Sequence, residues 1–170
     1  MLNANMEQAI NNQINAEFYS AYLYLAMAAH LEAIGLNGGA NWMRQQVQEE
    51  MFHAMKMFDF VHDRGGKVTL RTIEGPPVTW ESPLAVFEHV LEHERKVTDL
   101  INDLVNLAQD ERDHATTIFL QWFVSEQVEE EATAGQLIDK LTLIGADNNG
   151  LFMLDKELAL RVFTPPAAKK

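Results

Sequence analysis

The sequence predicts an all-α protein: a four-helix bundle with one long crossover between helices two and three, plus a short fifth helix. Three observations carry that reading. Apolar residues recur at 4,3,4,3 spacing through four long segments, glycine or proline punctuates the segment ends, and one connection is far longer than the others.

The first segment runs from about Met6 to Ile34 and stops at Gly35; the second runs from about Gly39 to Arg64 and stops at Gly65-Gly66. Residues 66–81 hold Pro76-Pro77 and read as extended chain. The third helix opens at Ser82-Pro83, a hydroxyl cap before a first-turn proline, and continues to about Gln109. Asp113 to Ile144 forms the fourth, stopped by Gly145. The short fifth spans about Gly150 to Val162, with its Leu151, Leu154, Leu158 and Val162 needing cover; Ala167–Lys170 reads as a frayed tail. The organisation expected is a single domain over 1–170, with the bundle at about 6–145.

Connection lengths set the topology. Loops of about four residues make antiparallel hairpins of helices one–two and three–four. The roughly 16-residue link reaches about 50 Å when extended, against about 42 Å for a 28-residue helix. It can cross the whole bundle and set helix three parallel to helix two.

Composition narrows the function. The chain has 170 residues, 47% of them apolar, enough for a sizeable core. It has no cysteine, which excludes disulfides, thiolate metal sites and a cysteine nucleophile. A net charge of −12, from 25 acidic and 13 basic residues, opposes nucleic-acid binding and attracts cations. The start, MLNANMEQAI, has no basic region followed by an apolar one, and no apolar run reaches a membrane-spanning length. A cytoplasmic protein without membrane or nucleic-acid partners is expected.

The four seams carry the chemistry. They read Ile10, Ile14, Glu17, Ala21, Tyr24, Ala28, Leu31; Ala40, Met43, Val47, Glu50, Ala54, Met57, Val61; Leu84, Phe87, Leu91, Glu94, Thr98, Ile101, Val105, Ala108; and Thr116, Leu120, Phe123, Gln127, Glu130, Ala134, Leu137, Leu141, Ile144. Each contains one mid-helix glutamate, and their depths agree. Glu50 and Glu94 each lie about 12 residues into parallel helices; Glu94 and Glu130 lie about 17 and 19 residues from their shared turn, a mismatch within one helical turn. A lone seam acid is usually a side chain reaching for solvent. Four at one level repel each other and need cations, and the seams offer no Lys or Arg there. Divalent metal is the simplest partner. His53, three residues after Glu50, shares its helix face and completes Glu-x-x-His, a recurrent di-metal motif in bundles. Oxygen donors with one imidazole and no thiolate suit Fe(II) or Mn(II) better than structural zinc.

At these residues the chain resembles the bacterial non-haem ferritins over nearly its whole length. The stretches that carry the likeness are Glu17 with Tyr24, QEEMFHAMKMFD (48–59), His93-Glu94, LQWFVSEQVEEE (120–131) and GLFMLDKEL (150–158). The resemblance implies a ferritin-like fold and a ferroxidase centre. Glu17, Glu50 and His53 would surround one iron, and Glu50 would bridge to a second held by Glu94 and Glu130. Gln127 would hydrogen-bond behind them, and Tyr24 could supply an electron, although core packing explains it equally. Glu49, Glu126 and Glu129, sharing Glu130, would form a third iron site. Trp122 would be a nearby redox-capable aromatic, although packing suffices for it.

The resemblance also implies oxidation by O2 or H2O2, ferric mineral in a hollow homo-oligomer of 24 chains, and a fifth helix around a fourfold axis. It places a threefold channel near Asp110, Glu111, Asp113 and His114, which capping of a polar turn explains as well. The fourth helix reads Gln127-Val128-Glu129-Glu130 where a symmetric centre would repeat the histidine, and this argues against a bacterioferritin. Met51 could ligate haem only in that family, so no haem is expected. A non-storing di-metal redox bundle and a DNA-protecting small ferritin remain the rival readings. The other histidines (30, 62, 89, 93 and 114) read mostly as surface residues.

Overall fold

A computed structural model describes residues 2–166 and forms α1 (Ala4–Ala33), α2 (Asn37–Asp63), α3 (Pro83–Asp110), α4 (His114–Ile144) and α5 (Asn148–Leu158). No strand occurs among the described residues, and none of their helices is long and apolar enough to cross a membrane. The tail Ala167–Lys170, expected to fray, lies outside them.

Helix ends depart from expectation where the capping group comes from elsewhere. Asn3 accepts the Met6 N–H at 2.8 Å and starts α1 two residues early. α2 begins at Asn37 rather than Gly39, although Leu36 at its N-cap has no acceptor. Asp155 of α5 supplies one instead, accepting the Gly39 N–H at 2.8 Å. α5 starts at Asn148 because Asp147 accepts from the Asn149 and Gly150 amides. It stops at Leu158 rather than Val162, because the Asn41 amide captures the carbonyls of Leu158, Ala159 and Arg161. Val162 is therefore exposed, while Leu154 and Leu158 are buried. Ser82 and Pro83 start α3 as the sequence predicts, with the Ala85 N–H on the Ser82 hydroxyl at 3.0 Å.

The crossover runs the length of the bundle. It leaves α2 beside the start of α1, where the Leu2 N–H donates to the Arg64 carbonyl at 3.1 Å. Asn11 holds it next, donating to the Lys67 carbonyl (2.9 Å) and accepting the Thr69 N–H (2.7 Å). Near its end Trp80 packs on His30, in the last turn of α1, with ring centroids 5.3 Å apart. α3 thus starts at the end where α2 starts, with Phe87 against Trp42 at 5.4 Å, and the two helices run parallel.

The buried face of α3 is broader than the single seam read from the sequence. Phe87, Glu94, Ile101 and Ala108 are buried, but so are Val86, Val90, His93, Val97 and Leu104, while Leu91, Thr98 and Val105 are only half-buried. α3 packs against both α1 and α4, and covering two neighbours takes a wider stripe. His93, expected at the surface with the other histidines, is the exception among them and lies inside.

The core is not continuous. One apolar cluster gathers Tyr24, Met27, Leu31, Met43, Phe87, Leu137 and Leu154 at one end. The other gathers Ile10, Ile14, Met57, Ile101, Leu120 and Phe123. Along every bundle helix, the buried residues between these clusters are polar, Ala21 and Ala54 excepted.

Candidate metal centre

That polar layer is the site. Glu17, Glu50, His53, Glu94, Gln127 and Glu130 fill it from all four helices, and each exposes at most 7% of its surface. Ligand-capable atoms of Glu17, Glu50 and His53 lie within 4.8 Å of one another. Glu94 and Glu130 face them from α3 and α4, outside that triad but close enough to repel it electrostatically.

Neighbouring amides and a phenol orient the acids. Gln13 donates to Glu17 Oε1 at 2.9 Å, Gln46 donates to Glu130 Oε2 at 2.9 Å, and the Tyr24 hydroxyl donates to Glu94 Oε1. Gln127 spans α3, donating to both the carbonyl and Oε2 of Glu94 at 3.1 Å. Among the described residues, two buried side-chain atoms have no hydrogen-bond partner: Glu17 Oε2 and His53 Nε2. A buried imidazole nitrogen and a buried carboxylate oxygen left unsatisfied in one layer are what a metal ion would complete.

The protonation pattern fits. Burial pushes the Glu17 carboxyl up to about 7. Burial and then the neighbouring glutamates push Glu50 and Glu130 well above the usual carboxylate range. Burial also lowers His53 to about 4, so its imidazole is neutral and competent as a ligand. Without metal, the layer holds its acids by keeping protons on them.

Comparison with known proteins decides the family. The Ferritin-like domain family matches residues 7–144. The bacterial non-heme ferritin of Bacteroides fragilis is 47% identical over 161 residues, covering 95% of this chain and all of its own, and that of Staphylococcus epidermidis is 44% identical over 163 residues, covering 96% and 98%. The chain belongs to the ferritin family. Among solved structures, an open pore ferritin from the archaeon Archaeoglobus fulgidus superposes with a TM-score of 0.95 at 59% identity, covering 95% of this chain and all of the other.

The structure gathers most of the residues named from the sequence in or beside the layer. Glu49 and Glu126, both half-buried, meet in a second triad within 4.8 Å, completed by His53. Glu129 is exposed and outside that triad, yet it lines the same cavity. Trp122 also lines this cavity, its ring edge-on to His53 at 5.3 Å. At the turn before α4, Asp113 caps Thr116 and binds Arg64 through both carboxylate oxygens at 3.1 Å. Glu111 accepts from Asn3 and Asn5, so two of these four polar residues have local work.

Besides Gln13, Ser20 and Gln46, two further polar residues beside the layer escaped the sequence reading. His93 Nε2 lies 2.8 Å from the Ser20 hydroxyl, with its ring edge-on to Tyr24 at 5.8 Å. Its signal was a second stripe on helix three: Val86, Val90, His93, Val97, Ile101, Leu104, Ala108. Arg161 is the other. It reaches the layer's rim from beyond α5 and pairs with Glu49 at 2.8 Å, supplying a cation that no seam contains.

The raised carboxyls set a pH dependence. A glutamate with a raised folded pKa stabilises the fold below its unfolded pKa, and that contribution is lost as pH rises through the folded value. The buried His53 and His93, both lowered to about 4, act oppositely, but only below about 6.5. Above about 6.5 the histidine effect fades and the glutamates dominate. Metal-free protein should therefore melt about 5 °C lower at pH 8 than at pH 6.5. Calorimetry should show the loss, and saturating Co(II) should abolish it. A metal-free melting point that rises over this interval would contradict the protonated layer.

Proposed function

We propose that this ferritin stores iron and is a ferroxidase, oxidising Fe(II) inside each subunit and depositing ferric mineral in a hollow cytoplasmic cage of 24 chains. The observation that carries the reading is the buried layer itself: four glutamates from four helices and one neutral histidine, with Arg161 at the rim as the nearby cation. Arg161, already paired with Glu49, and the more distant Lys56 do not balance four buried acids, and two divalent ions do.

In this reading Glu17, Glu50 and His53 hold one Fe(II), and Glu50 bridges to a second held by Glu94 and Glu130, about 3.5–4 Å away as in other two-metal sites. Gln127 donates to the Glu94 carboxylate, and Tyr24, bonded to the same carboxylate, would lend an electron. Each pair of Fe(II) ions gives two electrons and becomes two Fe(III). One O2 takes those electrons with two protons to form H2O2, or one H2O2 takes them with two protons to form two waters. Pairing the metals avoids one-electron reduction products. The third ion would bind at Glu49, Glu126 and Glu129 with Glu130 shared, beside the centre.

Size-exclusion chromatography followed by aerobic Fe(II) titration tests the whole reading. A particle near 460 kDa, 24 times about 19.3 kDa, should form and take up far more iron than three ions per chain. A small oligomer that oxidises iron but keeps only two or three ions per chain would make it a di-metal redox bundle instead.

A further inference from the structure

The chain after α5 doubles back across α2 as a strap. Asn41 holds the Leu158, Ala159 and Arg161 carbonyls, and the Phe163 N–H donates to Gln45 Oε1 at 2.9 Å. The strap covers one side of a cavity of about 310 Å³, whose lining includes Glu49, His53, Trp122, Glu126, Glu129 and Arg161.

Arg161 is built into this wall. Its guanidinium lies 4.2 Å over the Trp42 ring and donates to Glu49 Oε2 at 2.8 Å, to Gln46 Oε1 and, more weakly, to the Trp42 carbonyl. Gln46 in turn donates to Glu130 Oε2 at 2.9 Å, so one amide links the guanidinium to an acid of the main layer. Among the described residues, no Lys or Arg pairs with Glu126 or Glu129 within 4.0 Å. His53, with its buried and unpartnered Nε2, belongs to the triad with Glu49 and Glu126. The cavity therefore has one acid paired directly with a guanidinium and two without a direct pair, Glu126 feeling only the more distant charge of Lys56.

We propose that Arg161 is an internal competitor for the third cation, engaging Glu49 in its place and keeping that site weak and exchangeable while the two-ion centre stays tight. This rests on the third-site reading above. A divalent ion at Glu49 meets a fixed positive charge bonded to the same carboxylate, and the two repel across a partly buried gap. Binding must either displace the guanidinium, breaking its bonds to Glu49 and Gln46, or accept a weakened ligand. Either route lowers affinity at this site more than at the Glu17–Glu50–His53 triad, which Arg161 does not contact and feels only through longer-range charge. An ion passing from the centre toward a mineral gains from such a step, since a tight third site would trap it.

The test is anaerobic calorimetric titration of the assembled, metal-free protein with Co(II), which binds such donors without being oxidised. Arg161→Gln should tighten the weakest class of site about tenfold and move the other two less than about twofold. Arg161→Lys keeps the charge and should stay within about threefold of the parent, and Glu126→Gln should abolish this class. If Glu126→Gln abolishes it but Arg161→Gln leaves it unchanged or weaker, the competitor is overturned and the third site stands. If Arg161→Lys tightens the site as Arg161→Gln does, charge is not the cause and the proposal fails. If no variant, Arg161→Gln included, shows a third class, the third-site reading falls and the competitor with it. Melting curves accompany each titration: a large loss of stability in Arg161→Gln with all sites weakened would make Arg161 a structural fastener and also overturn the proposal.

Discussion

Glu50→Gln is expected to slow the oxidation of two Fe(II) per chain at least about 100-fold while leaving the helices intact. Glu50 is central to the layer: it is in the triad with Glu17 and His53, and its carboxyl is raised by the charges of Glu94, Glu17 and Glu130. In the proposed centre it is the acid shared between both ions. An amide of the same shape fills the space without the second anionic oxygen, so the two reductants are no longer held together. The same change should have the opposite effect on the metal-free fold. Removing one acid from a buried cluster relieves repulsion and desolvation, stabilising metal-free protein at pH 8 by about 1–3 kcal/mol. Saturating Co(II) should then reverse the order of the two melting points. Stopped-flow absorbance of the ferric product at two Fe(II) per chain measures the first effect, and calorimetry measures the second. Oxidation at the parent rate would remove Glu50 from the centre.

That layer was legible because acids are conspicuous where a seam demands leucine. Glu17, Glu50, Glu94 and Glu130 broke four largely apolar repeats at matching depths, and all four are buried together. His53 followed from its three-residue spacing. The crossover was legible for a simpler reason: only a link long enough to span the bundle could join the two hairpins. What stayed hidden depends on contacts between distant parts of the chain. Arg161 follows the last helix and carries no periodic signal, and only the strap's bonds to Asn41 and Gln45 bring it to Glu49. The start of α2 was misplaced because its cap, Asp155, lies 116 positions away in sequence. His93 was hidden by its neighbour: once Glu94 is set on the core seam, the adjacent residue reads as turned toward solvent, unless a second packing partner widens the stripe.

The residue that supplies this distant cap, Asp155, also leaves Gly38 no room for a side chain. A Cβ there would lie 1.6 Å from the Asp155 carbonyl oxygen and 2.6 Å from its carbon. Those atoms are helix backbone, which cannot step aside as a side-chain tip could. Gly38→Ala should therefore lift α5 off α2. Leu154 and Leu158 would leave the core, the Asp155 cap on Gly39 would be lost, and stability should fall by about 3 kcal/mol, roughly 6–12 °C in melting temperature. Gly75→Ala, where nothing lies within 4 Å, should change melting by no more than about 2 °C. Limited proteolysis should cut Gly38→Ala beyond Ile144 and spare the four long helices, whose two core clusters are built mainly from residues outside α5. Because Asn41 anchors the strap just beyond α5, lifting the helix also withdraws Arg161 from Glu49. Gly38→Ala should then tighten the third Co(II) site as Arg161→Gln does, through a residue far from any metal ligand. A Gly38→Ala variant that melts with the parent and resists proteolysis would mean that α5 accommodates the methyl by sliding, and that its seat on α2 is not what holds the strap in place.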